Sequence, residues 1–441
     1  MRRRDFVKLS GATALLSGMP SGVFGVATGL RQGKIITGRK LNIACIGAGG
    51  RGEAAVQAMR GENIVALCDV DAKQAATSFA AHTNVPHYTD YRKMLKEMDG
   101  EIDAVTVSTP DHTHFPAAMM AVKQGKHVFV EKPMAHTVEE ARLLRLAVKK
   151  HNVISQMGNQ GHAKEGIRLV KEWIDAGVIG DIHQVDIWTN RPIWPQGMTA
   201  QPPAMPVPGT IDWNLWLGVA PKRPYNSNYL PFKWRGWWDF GTGAFGDMGC
   251  HIMDAPFWAL KLENPTSITA ETSPVSNESP PKWSIVTYKF PARGKMPPIT
   301  MTWYDGKKKP PRPASLEEGR SVPAQGVYYH GTKKTLASFS AYCNSPRLIP
   351  ESDMREFAPN RPEETIPRVK GGHFAEWIRA CKGEGPMPGS NFEYAGPLTE
   401  TILLGNIAIR AGRKIRWDSK KLECIGDPES TRLVSKKYRK F

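Results

Sequence analysis

A glycine-rich turn constrains the fold of this 441-residue chain more than any other feature. Residues 41–46 are apolar and rich in β-branched side chains, which is typical of a buried parallel strand. They lead into Gly47-x-Gly49-x-x-Gly52, and the alanine-rich residues 53–60 that follow have a helical composition. A strand, a glycine turn and a helix in this order are the dinucleotide-binding fingerprint. We expect Gly47 to permit the turn, Gly49 to let the backbone approach a pyrophosphate, and Gly52 to let the helix pack against the strand.

An acidic residue at the expected distance favours this interpretation over an ordinary strand–helix turn. The apolar residues 64–68 predict a second strand, and Asp69 follows it, about 20 residues beyond the first glycine. In dinucleotide-binding folds an acid at this place binds ribose hydroxyls. The sequence therefore predicts a nucleotide site between the first two strands.

The chain is strongly basic but carries no signature of a nucleic-acid-binding protein. It has 59 Lys and Arg residues against 42 Asp and Glu residues, a net charge of +17. These residues are scattered, and no helix-turn-helix, zinc-finger or RNA-binding motif accompanies them, so we expect no nucleic-acid partner. Basic clusters at residues 307–312 and 436–440 are interpreted as solvated loops and a frayed end rather than as a polyanion site.

Residues 1–37 are predicted to be a signal peptide and linker. Arg3, Arg4 and Phe6 precede a mildly apolar, glycine-rich stretch at residues 12–30, which resembles a twin-arginine signal. Its glycines and proline make it a poor membrane helix, so no stable membrane anchor is expected. We therefore predict export to the periplasm in the folded state by the twin-arginine machinery.

The cysteines predict neither a metal site nor disulfide bonds. None of the six has a neighbour at metal-ligand spacing. Cys45 and Cys68 lie within predicted core strands, where a free cysteine behaves as a small apolar residue. Because folding before export takes place in a reducing compartment, we expect free thiols.

Strands and helices alternate over residues 38–157, which predicts a doubly wound parallel Rossmann sheet. Strands are predicted at residues 41–46, 63–68, 103–108, 127–130 and 153–157, and helices near 52–60, 72–82, 90–98, 115–124 and 137–150. Ligands of such sheets bind beyond the carboxyl ends of the strands. The predicted cofactor-binding residues accordingly follow strand ends: Gly47, Gly49, Gly50, Arg51, Gly52, Asp69, Ser108, Thr109, Pro110, His114, Glu131, Lys132 and Gln160.

Residues 158–441 predict a second, α+β domain for substrate binding and oligomerisation, built on a large, mostly antiparallel open sheet. After a helix at 164–176 and a strand at 182–189, a loop rich in Pro, Trp and Gly spans residues 191–246. Further strands are predicted at 265–272, 283–290, 298–304, 327–330 and 336–340, surface loops at 306–324 and 346–367, and helices at 372–382 and 395–412. The two late helices are expected to pack back on the Rossmann domain.

Two short motifs contain candidate catalytic residues. In Glu131-Lys132-Pro133 the lysine can sit beside a substrate hydroxyl or carbonyl, although the motif alone is also compatible with a surface ion pair and a turn. In a helix, Asp247 and His251 share one face, where a carboxylate and an imidazole can hold a hydroxyl and take its proton. The alternative is a buried histidine paired with an aspartate.

Together these motifs resemble the Gfo/Idh/MocA oxidoreductases over residues 38–412. The resemblance rests on the glycine turn, Asp69, Ser108-Thr109-Pro110 with His114, Glu131-Lys132-Pro133, and Asp247 through His251. It implies that Lys132 and His251 are the catalytic pair, that Asp247 binds substrate, and that Asp69 holds the adenosine ribose. It also implies that Glu131 lines the nicotinamide side. Val70 replaces the Arg or Ser that would bind a second phosphate, so NAD is expected rather than NADP.

The chain departs from the small members of this family by its predicted signal and its long tryptophan-rich segment. Trp234, Arg235 and Trp238 are predicted to bind substrate together with Asp247 and His251, because tryptophan faces stack on sugar rings. The alternative is that the tryptophans fill core or an oligomer interface.

The resemblance implies an exported NAD-dependent oxidoreductase acting on a sugar, glycoside or cyclitol secondary alcohol, with a tightly held cofactor and a homo-oligomeric state of two or four chains. One alternative is an NAD-dependent glycosidase or lyase that oxidises its substrate transiently and cleaves it by elimination. Another is a non-catalytic sugar or nucleotide sensor, against which the presence of Lys132, Asp247 and His251 together argues.

Overall fold

The computed structural model describes residues 30–441, so the predicted twin-arginine motif lies outside the described residues. The first domain contains a sheet of six parallel strands in the order β3-β2-β1-β4-β5-β6, which confirms the predicted Rossmann fold. The strands are β1 (Asn42–Ile46), β2 (Asn63–Cys68), β3 (His87–Tyr88), β4 (Ala104–Val107), β5 (His127–Val130) and β6 (Ser155–Met157). The two-residue β3 is too short to give a sequence pattern and was not predicted.

Five helices connect these strands. They are α1 (Arg51–Ala58), α2 (Ala76–Ala81), α3 (Tyr91–Glu97), α4 (Asp111–Lys123) and α5 (Val138–His151). Helix α5 begins with a capping box between Thr137 and Glu140. Helix α4 begins four residues before the predicted start, directly after Pro110, so that Asp111 and His114 lie in its first turn.

The second domain contains a mixed, mostly antiparallel sheet of nine strands in the order β13-β12-β11-β7-β10-β9-β8-β14-β15. This confirms the predicted large and mostly antiparallel sheet. Only β7 and β10 pair in parallel. The strands are β7 (Ile182–Trp188), β8 (Ser267–Thr272), β9 (Ser284–Phe290), β10 (Ile299–Tyr304), β11 (Gly326–Gly331), β12 (Thr335–Ser338), β13 (Arg347–Ile349), β14 (Ile415–Asp418) and β15 (Glu423–Cys424).

The helices of this half are α6 (Glu165–Asp175), α7 (Trp213–Leu217), α8 (Gly243–Ile252), α9 (Asp254–Ala259), α10 (Glu351–Phe357), α11 (Gly372–Cys381), α12 (Phe392–Ala411) and α13 (Pro428–Thr431). The prediction of a surface loop at residues 346–367 is wrong at its start, because β13 and α10 lie there. Leu348 and Ile349 are fully buried in β13, although the prolines around them are typical of a loop.

Two late helices pack against the Rossmann domain. In α11, Trp377 lies edge-on to Phe129 of β5, with 5.9 Å between ring centroids, and belongs to the same buried cluster as Ile43 and Cys45 of β1. In α12, Glu400 receives two hydrogen bonds of 2.7 and 2.6 Å from Arg142 of α5. These contacts place α11 and α12 beside the nucleotide-binding sheet.

The prediction of a frayed basic end at residues 436–440 is wrong. The Nζ of Lys436 lies 2.9 Å from Nδ1 of His136 and 3.1 Å from a carboxylate oxygen of Glu140. The hydroxyl of Tyr438 donates a 2.6 Å hydrogen bond to the same carboxylate, and its ring packs on Phe115. The segment is therefore fixed to α4 and α5.

None of the helices between residues 30 and 441 is long and apolar enough to cross a membrane. Over the same residues, no group of three or more His, Cys, Asp or Glu side chains is arranged to hold a metal ion. All six cysteines are buried and unpaired.

Candidate active site

One cleft of about 560 Å³ opens where the carboxyl ends of the Rossmann strands meet the second domain, and it brings together most of the predicted site residues. The predicted residues that line it are Gly47, Gly49, Gly50, Arg51, Asp69, Ser108, Thr109, Pro110, His114, Glu131, Lys132, Gln160, Trp234, Arg235, Asp247 and His251.

The glycine turn has the geometry that a bound pyrophosphate requires. Gly47 has a φ of 78°, and a Cβ on Gly52 would lie 1.7 Å from the carbonyl oxygen of Gly47, so both positions need glycine. Gly52 does not line the cleft but allows α1 to start close to β1. No side chain caps the N-terminus of α1, whose first residues Gly50 and Arg51 face the cleft. Its free N–H groups fit the phosphates of a dinucleotide.

Asp69 fastens this turn from the end of β2. One carboxylate oxygen accepts hydrogen bonds from the N–H groups of Ala48 and Gly49 at 2.9 and 3.0 Å, and the other accepts from Asp71 N–H at 3.0 Å. Burial raises the pKa of Asp69, and the backbone N–H groups partly offset that effect. The carboxylate lies in the wall of the cleft, at the position predicted to hold the ribose.

His114 joins the two loops that follow β4 and β5. Its ring nitrogens lie 2.7 Å from the carbonyl oxygens of Thr109 and Pro133. Burial lowers the pKa of His114, so the ring is neutral and donates to one of these carbonyls at a time. The imidazole thereby positions the loops that carry Pro110 and Lys132.

Arg51 and Glu131 form a bridge across the cleft floor between α1 and the end of β5. The Nε of Arg51 donates a 2.8 Å hydrogen bond to Glu131, whose side chain is almost fully buried. A Cβ on Gly158 would lie 2.8 Å from the Glu131 carboxyl carbon, so β6 packs tightly behind that carboxylate. This bridge holds Lys132 next to the glycine turn.

The junction between the two domains is an ion cluster around Asp247. The Nζ of Lys132 donates hydrogen bonds of 2.6 Å to the Asp247 carboxylate and 3.0 Å to its backbone carbonyl. The Nε of Arg235 donates to the same carboxylate oxygen at 3.1 Å. Burial opposes the charged form of Asp247, but the charges of Lys132 and Arg235 outweigh it and lower the pKa of this carboxyl. These three side chains sum to one net positive charge, and the buried carboxyl of Asp111 interacts electrostatically with all three.

His251 lies one turn beyond Asp247 on α8 and lines the same cleft. Burial and the nearby charge of Lys132 lower the pKa of His251 well below its ordinary value, so the imidazole is neutral. Its Nδ1 is buried and has no hydrogen-bond partner within residues 30–441. The ring meets Tyr342 edge-on, with 5.1 Å between ring centroids.

The tryptophan-rich segment supplies one wall of the cleft. The guanidinium of Arg235 lies over the rings of Trp234 and Phe232, at 4.2 and 4.5 Å from their centroids. Trp238 does not line this cleft, contrary to the prediction of a substrate contact. Its Nε1 donates to the carbonyl of Ser276, and its ring faces a separate cavity of about 320 Å³. Most of the remaining rings pack on one another, as the stacked pair Trp213–Trp216 does.

The cleft is also lined by residues that were not predicted from the sequence, among them Asp111, Tyr342 and Phe441. Asp111 accepts hydrogen bonds of 3.1 and 2.7 Å from the N–H and hydroxyl of Thr242, and burial raises its pKa to about 6. It directly follows Pro110, so its place after a strand end was a usable signal. Tyr342 and Phe441 come from distant loops and carry no such signal.

The glycine turn, the acid at the end of β2 and the ion cluster at the junction define a two-domain protein with an NAD-binding Rossmann domain. Comparison with family models agrees with this class. Residues 41–159 match the NAD-binding Rossmann fold of an oxidoreductase family, and residues 165–305 match its C-terminal alpha/beta domain. The chain belongs to the Gfo/Idh/MocA oxidoreductase family.

Three curated relatives show how far the likeness extends. Levoglucosan dehydrogenase of Pseudarthrobacter phenanthrenivorans is 27% identical over 42% of this chain and 38% of its own length. The inositol 2-dehydrogenase/D-chiro-inositol 3-dehydrogenase of Lacticaseibacillus casei is 32% identical over 32% of this chain and 42% of its own. A glycosyl hydrolase family 109 protein of Shewanella sp. strain MR-4 is 30% identical over 41% and 44%. The chain thus matches about two fifths of the length of these relatives.

The fold as a whole is shared with solved structures. The WlbA dehydrogenase from Bordetella pertussis, crystallised with NADH and UDP-GlcNAcA, superposes with a TM-score of 0.60. The match covers 86% of this chain and 99% of that one at 18% identity. At this identity the likeness establishes the fold alone.

Proposed function

We propose that this protein is an exported, NAD-dependent oxidoreductase that transfers a hydride between a secondary alcohol of a sugar, glycoside or cyclitol and a tightly held nicotinamide cofactor. The observation that carries the proposal is the meeting of Lys132, Asp247 and His251 in the cleft that begins at the glycine turn. Gly47, Gly50, Arg51 and the other residues after the strand ends would hold the dinucleotide.

The ion cluster suits the charge changes of alcohol oxidation. A hydroxyl that loses its proton develops negative charge on oxygen, and fixed positive groups stabilise that charge in a water-poor site. Lys132 and Arg235 supply two cations against the single carboxylate of Asp247. Asp247 keeps the lysine ammonium in place and can accept a hydrogen bond from a neighbouring substrate hydroxyl.

His251 is suited to accept the hydroxyl proton. Its lowered pKa keeps the imidazole neutral and leaves a lone pair for a proton, while it also makes the ring a weaker base than a free imidazole. Lys132, 2.6 Å from the Asp247 carboxylate, stabilises the oxygen that remains. Bound NAD supplies the hydride acceptor for the oxidation. In the reverse direction His251 returns the proton to the new hydroxyl.

The substrate class is supported by the cleft wall and by the relatives. Trp234 offers an aromatic face and Arg235 a hydrogen-bond donor, a pairing that suits a ring with apolar C–H faces and several hydroxyls. The two dehydrogenases among the relatives are named for a sugar anhydride and for inositol.

We also propose a homo-oligomer of two or four chains, which size-exclusion chromatography with light scattering would test.

Tight retention of NAD follows from the proposed compartment. Outside the cytoplasmic membrane little free NAD is present, so an enzyme that exchanged its cofactor would stop after one turnover. Folded export allows NAD to be enclosed beforehand. The test is to purify the exported protein without added cofactor, denature it, and measure the released dinucleotide. Near-stoichiometric release is expected, whereas an empty protein that needs millimolar NAD would contradict retention.

Product analysis tests the reaction itself. A panel of sugars, glycosides and cyclitols is incubated with the loaded protein, and nicotinamide absorbance is followed beside product chromatography. A keto-sugar or net NADH is expected, and Lys132→Ala is the inactive control. Free sugar released from a glycoside with unchanged NAD would instead establish the redox-assisted glycosidase. Saturable sugar binding with no product from the whole panel would establish a sensor.

A further inference from the structure

Residues 436–441 run from helix α5 to the cofactor cleft. The segment is fixed at its start by the contacts of Lys436 and Tyr438 with Glu140 of α5. From there it continues toward the end of the cleft that lies beyond β2 and β3. Phe441 lines that end together with Val70, Thr89 and others.

Arg439 ties this segment to the tryptophan-rich segment. Its backbone N–H donates to the carbonyl of Val219 at 3.0 Å, and its Nε donates to the carbonyl of Ala220 at 3.1 Å. Its guanidinium also donates two 2.7 Å hydrogen bonds to Asn214 of α7, one to the side chain and one to the backbone. Four hydrogen bonds thus join the two segments above the Rossmann domain.

Phe441 is held in place by Arg92. The Arg92 guanidinium lies 4.0 Å from the centroid of the Phe441 ring and donates a 2.6 Å hydrogen bond to its carbonyl oxygen. Arg92 is itself paired with Asp90 at 2.7 Å. The Arg439 guanidinium also lies 5.5 Å from the centroid of the Phe441 ring. Because Phe441 lines the cleft, the part of its ring that these guanidinium groups leave uncovered is available for stacking.

We propose that residues 436–441 form a strap over the adenosine end of the cofactor cleft, and that Phe441 is a binding residue for the adenine ring. This rests on the NAD dependence proposed above. Asp69, the predicted ribose ligand, donates its N–H to the carbonyl of Tyr88 at 3.0 Å, and the nearby Asp90 pairs with the Arg92 that holds Phe441. Lys132 instead contacts Asp247 of the second domain. The strap therefore acts on the adenosine half and leaves the reacting half untouched.

Binding measurements with halves of the cofactor test the strap. Affinities for NAD, AMP and nicotinamide mononucleotide are compared between wild type and Phe441→Ala. Loss of base–aromatic stacking predicts that NAD and AMP bind about 5- to 100-fold more weakly. Affinity for nicotinamide mononucleotide is expected to stay unchanged. Phe441→Tyr keeps the aromatic face and should restore NAD and AMP binding. Lys420→Ala, which removes an exposed lysine outside the strap, is the matched control and should bind like wild type.

The outcomes separate the strap from the proposed function. If wild type binds NAD and AMP, and Phe441→Ala binds both as tightly, the strap is overturned while NAD dependence stands. If Phe441→Ala weakens AMP and nicotinamide mononucleotide equally and lowers the melting temperature, the segment has only a structural role and the strap is overturned. If wild type does not bind NAD, the proposed function fails together with the inference.

Discussion

The excess positive charge around Asp247 depends on two residues from different parts of the chain. Lys132 follows β5 of the Rossmann sheet, and Arg235 precedes α8 of the second domain. Either cation alone would be neutralised by the carboxylate. Together they leave one positive charge in excess over Asp247 beside the neutral His251, and the Asp111 carboxyl interacts with the same groups. An excess of positive charge stabilises a developing alkoxide.

Lys132→Ala and His251→Ala are expected to lower turnover by about 10²- to 10⁴-fold, the usual contribution of a general acid or base. NAD affinity should change little, because neither side chain belongs to the glycine turn. Steady-state kinetics on the substrate found in the panel and a separate NAD titration measure the two effects. Lys171→Ala, which removes a lysine paired with Asp175 on α6, is the control. Turnover of Lys132→Ala near the wild-type rate would show that the active site is misassigned.

Asp69 is expected to make the protein prefer NAD to NADP, since its carboxylate would repel a phosphate on the ribose. Asp69→Ala should narrow the ratio of the two affinities, but it also removes the acceptor for Ala48 and Gly49. Asp69→Asn removes the charge and keeps one acceptor oxygen, which can serve Ala48 and Gly49, at the loss of the hydrogen bond from Asp71 N–H. The ratio of NAD affinity to NADP affinity is measured for wild type and for each variant by titration with the two dinucleotides. Tighter binding of NADP than NAD by wild type would contradict this assignment.

Local sequence identified the residues whose roles depend on their immediate neighbours. Gly47, Asp69 and Lys132 follow strand ends, and strand ends of a parallel sheet meet at one edge. Tyr342 and Phe441 reach the cleft through long-range packing, which no local pattern encodes. Trp238 was misplaced for the same reason, because a tryptophan that faces a sugar and one that faces the core look alike in sequence.

Element boundaries followed hydrophobic pattern where helices and strands are long. Strand β7 and helix α6 were each predicted to within one residue at every end. Helix α12 begins three residues before its predicted start, so Pro397 lies inside the helix as its sixth residue and provides no N–H for the carbonyl of Glu393. The two paired strands β14 and β15 were not predicted from the sequence, because both are short and lie at the edge of the sheet.

Helix α12 offers a matched pair of glycine substitutions. A Cβ on Gly405 would lie 2.0 Å from the Phe245 ring and 2.2 Å from the Tyr288 hydroxyl, both in the core. Gly405→Ala should therefore lower the free energy of unfolding by about 1–3 kcal/mol or more. On the same helix, a Cβ on Gly396 meets only the flexible side chain of Arg145, at 2.9 Å. Gly396→Ala should change stability by less than about 1 kcal/mol. Urea titrations compare them, and equal losses would contradict the packing argument.

At the scale of the whole molecule, the proposed folded export connects the cofactor to the compartment. Replacing Arg3 and Arg4 with Lys is expected to keep the protein in the cytoplasm, because the twin-arginine route requires the pair. Cell fractionation with an antibody measures the distribution, and Arg2→Lys is the control. Efficient export of the double variant would remove the periplasmic assignment. Cytoplasmic accumulation of a folded, NAD-loaded protein would support it.

The packing of α11 on β1 and β5 has a consequence for the order in which the protein is made. The nucleotide-binding sheet is encoded within residues 38–157, yet Trp377 and Cys381 complete one of its buried faces. While a ribosome is still synthesising the second domain, that face has no cover and the first half of the chain exposes apolar surface. The site for NAD is therefore finished only after the last helices have emerged. Under the folded export proposed above, cofactor loading would follow synthesis of nearly the whole chain and precede its departure from the cytoplasm.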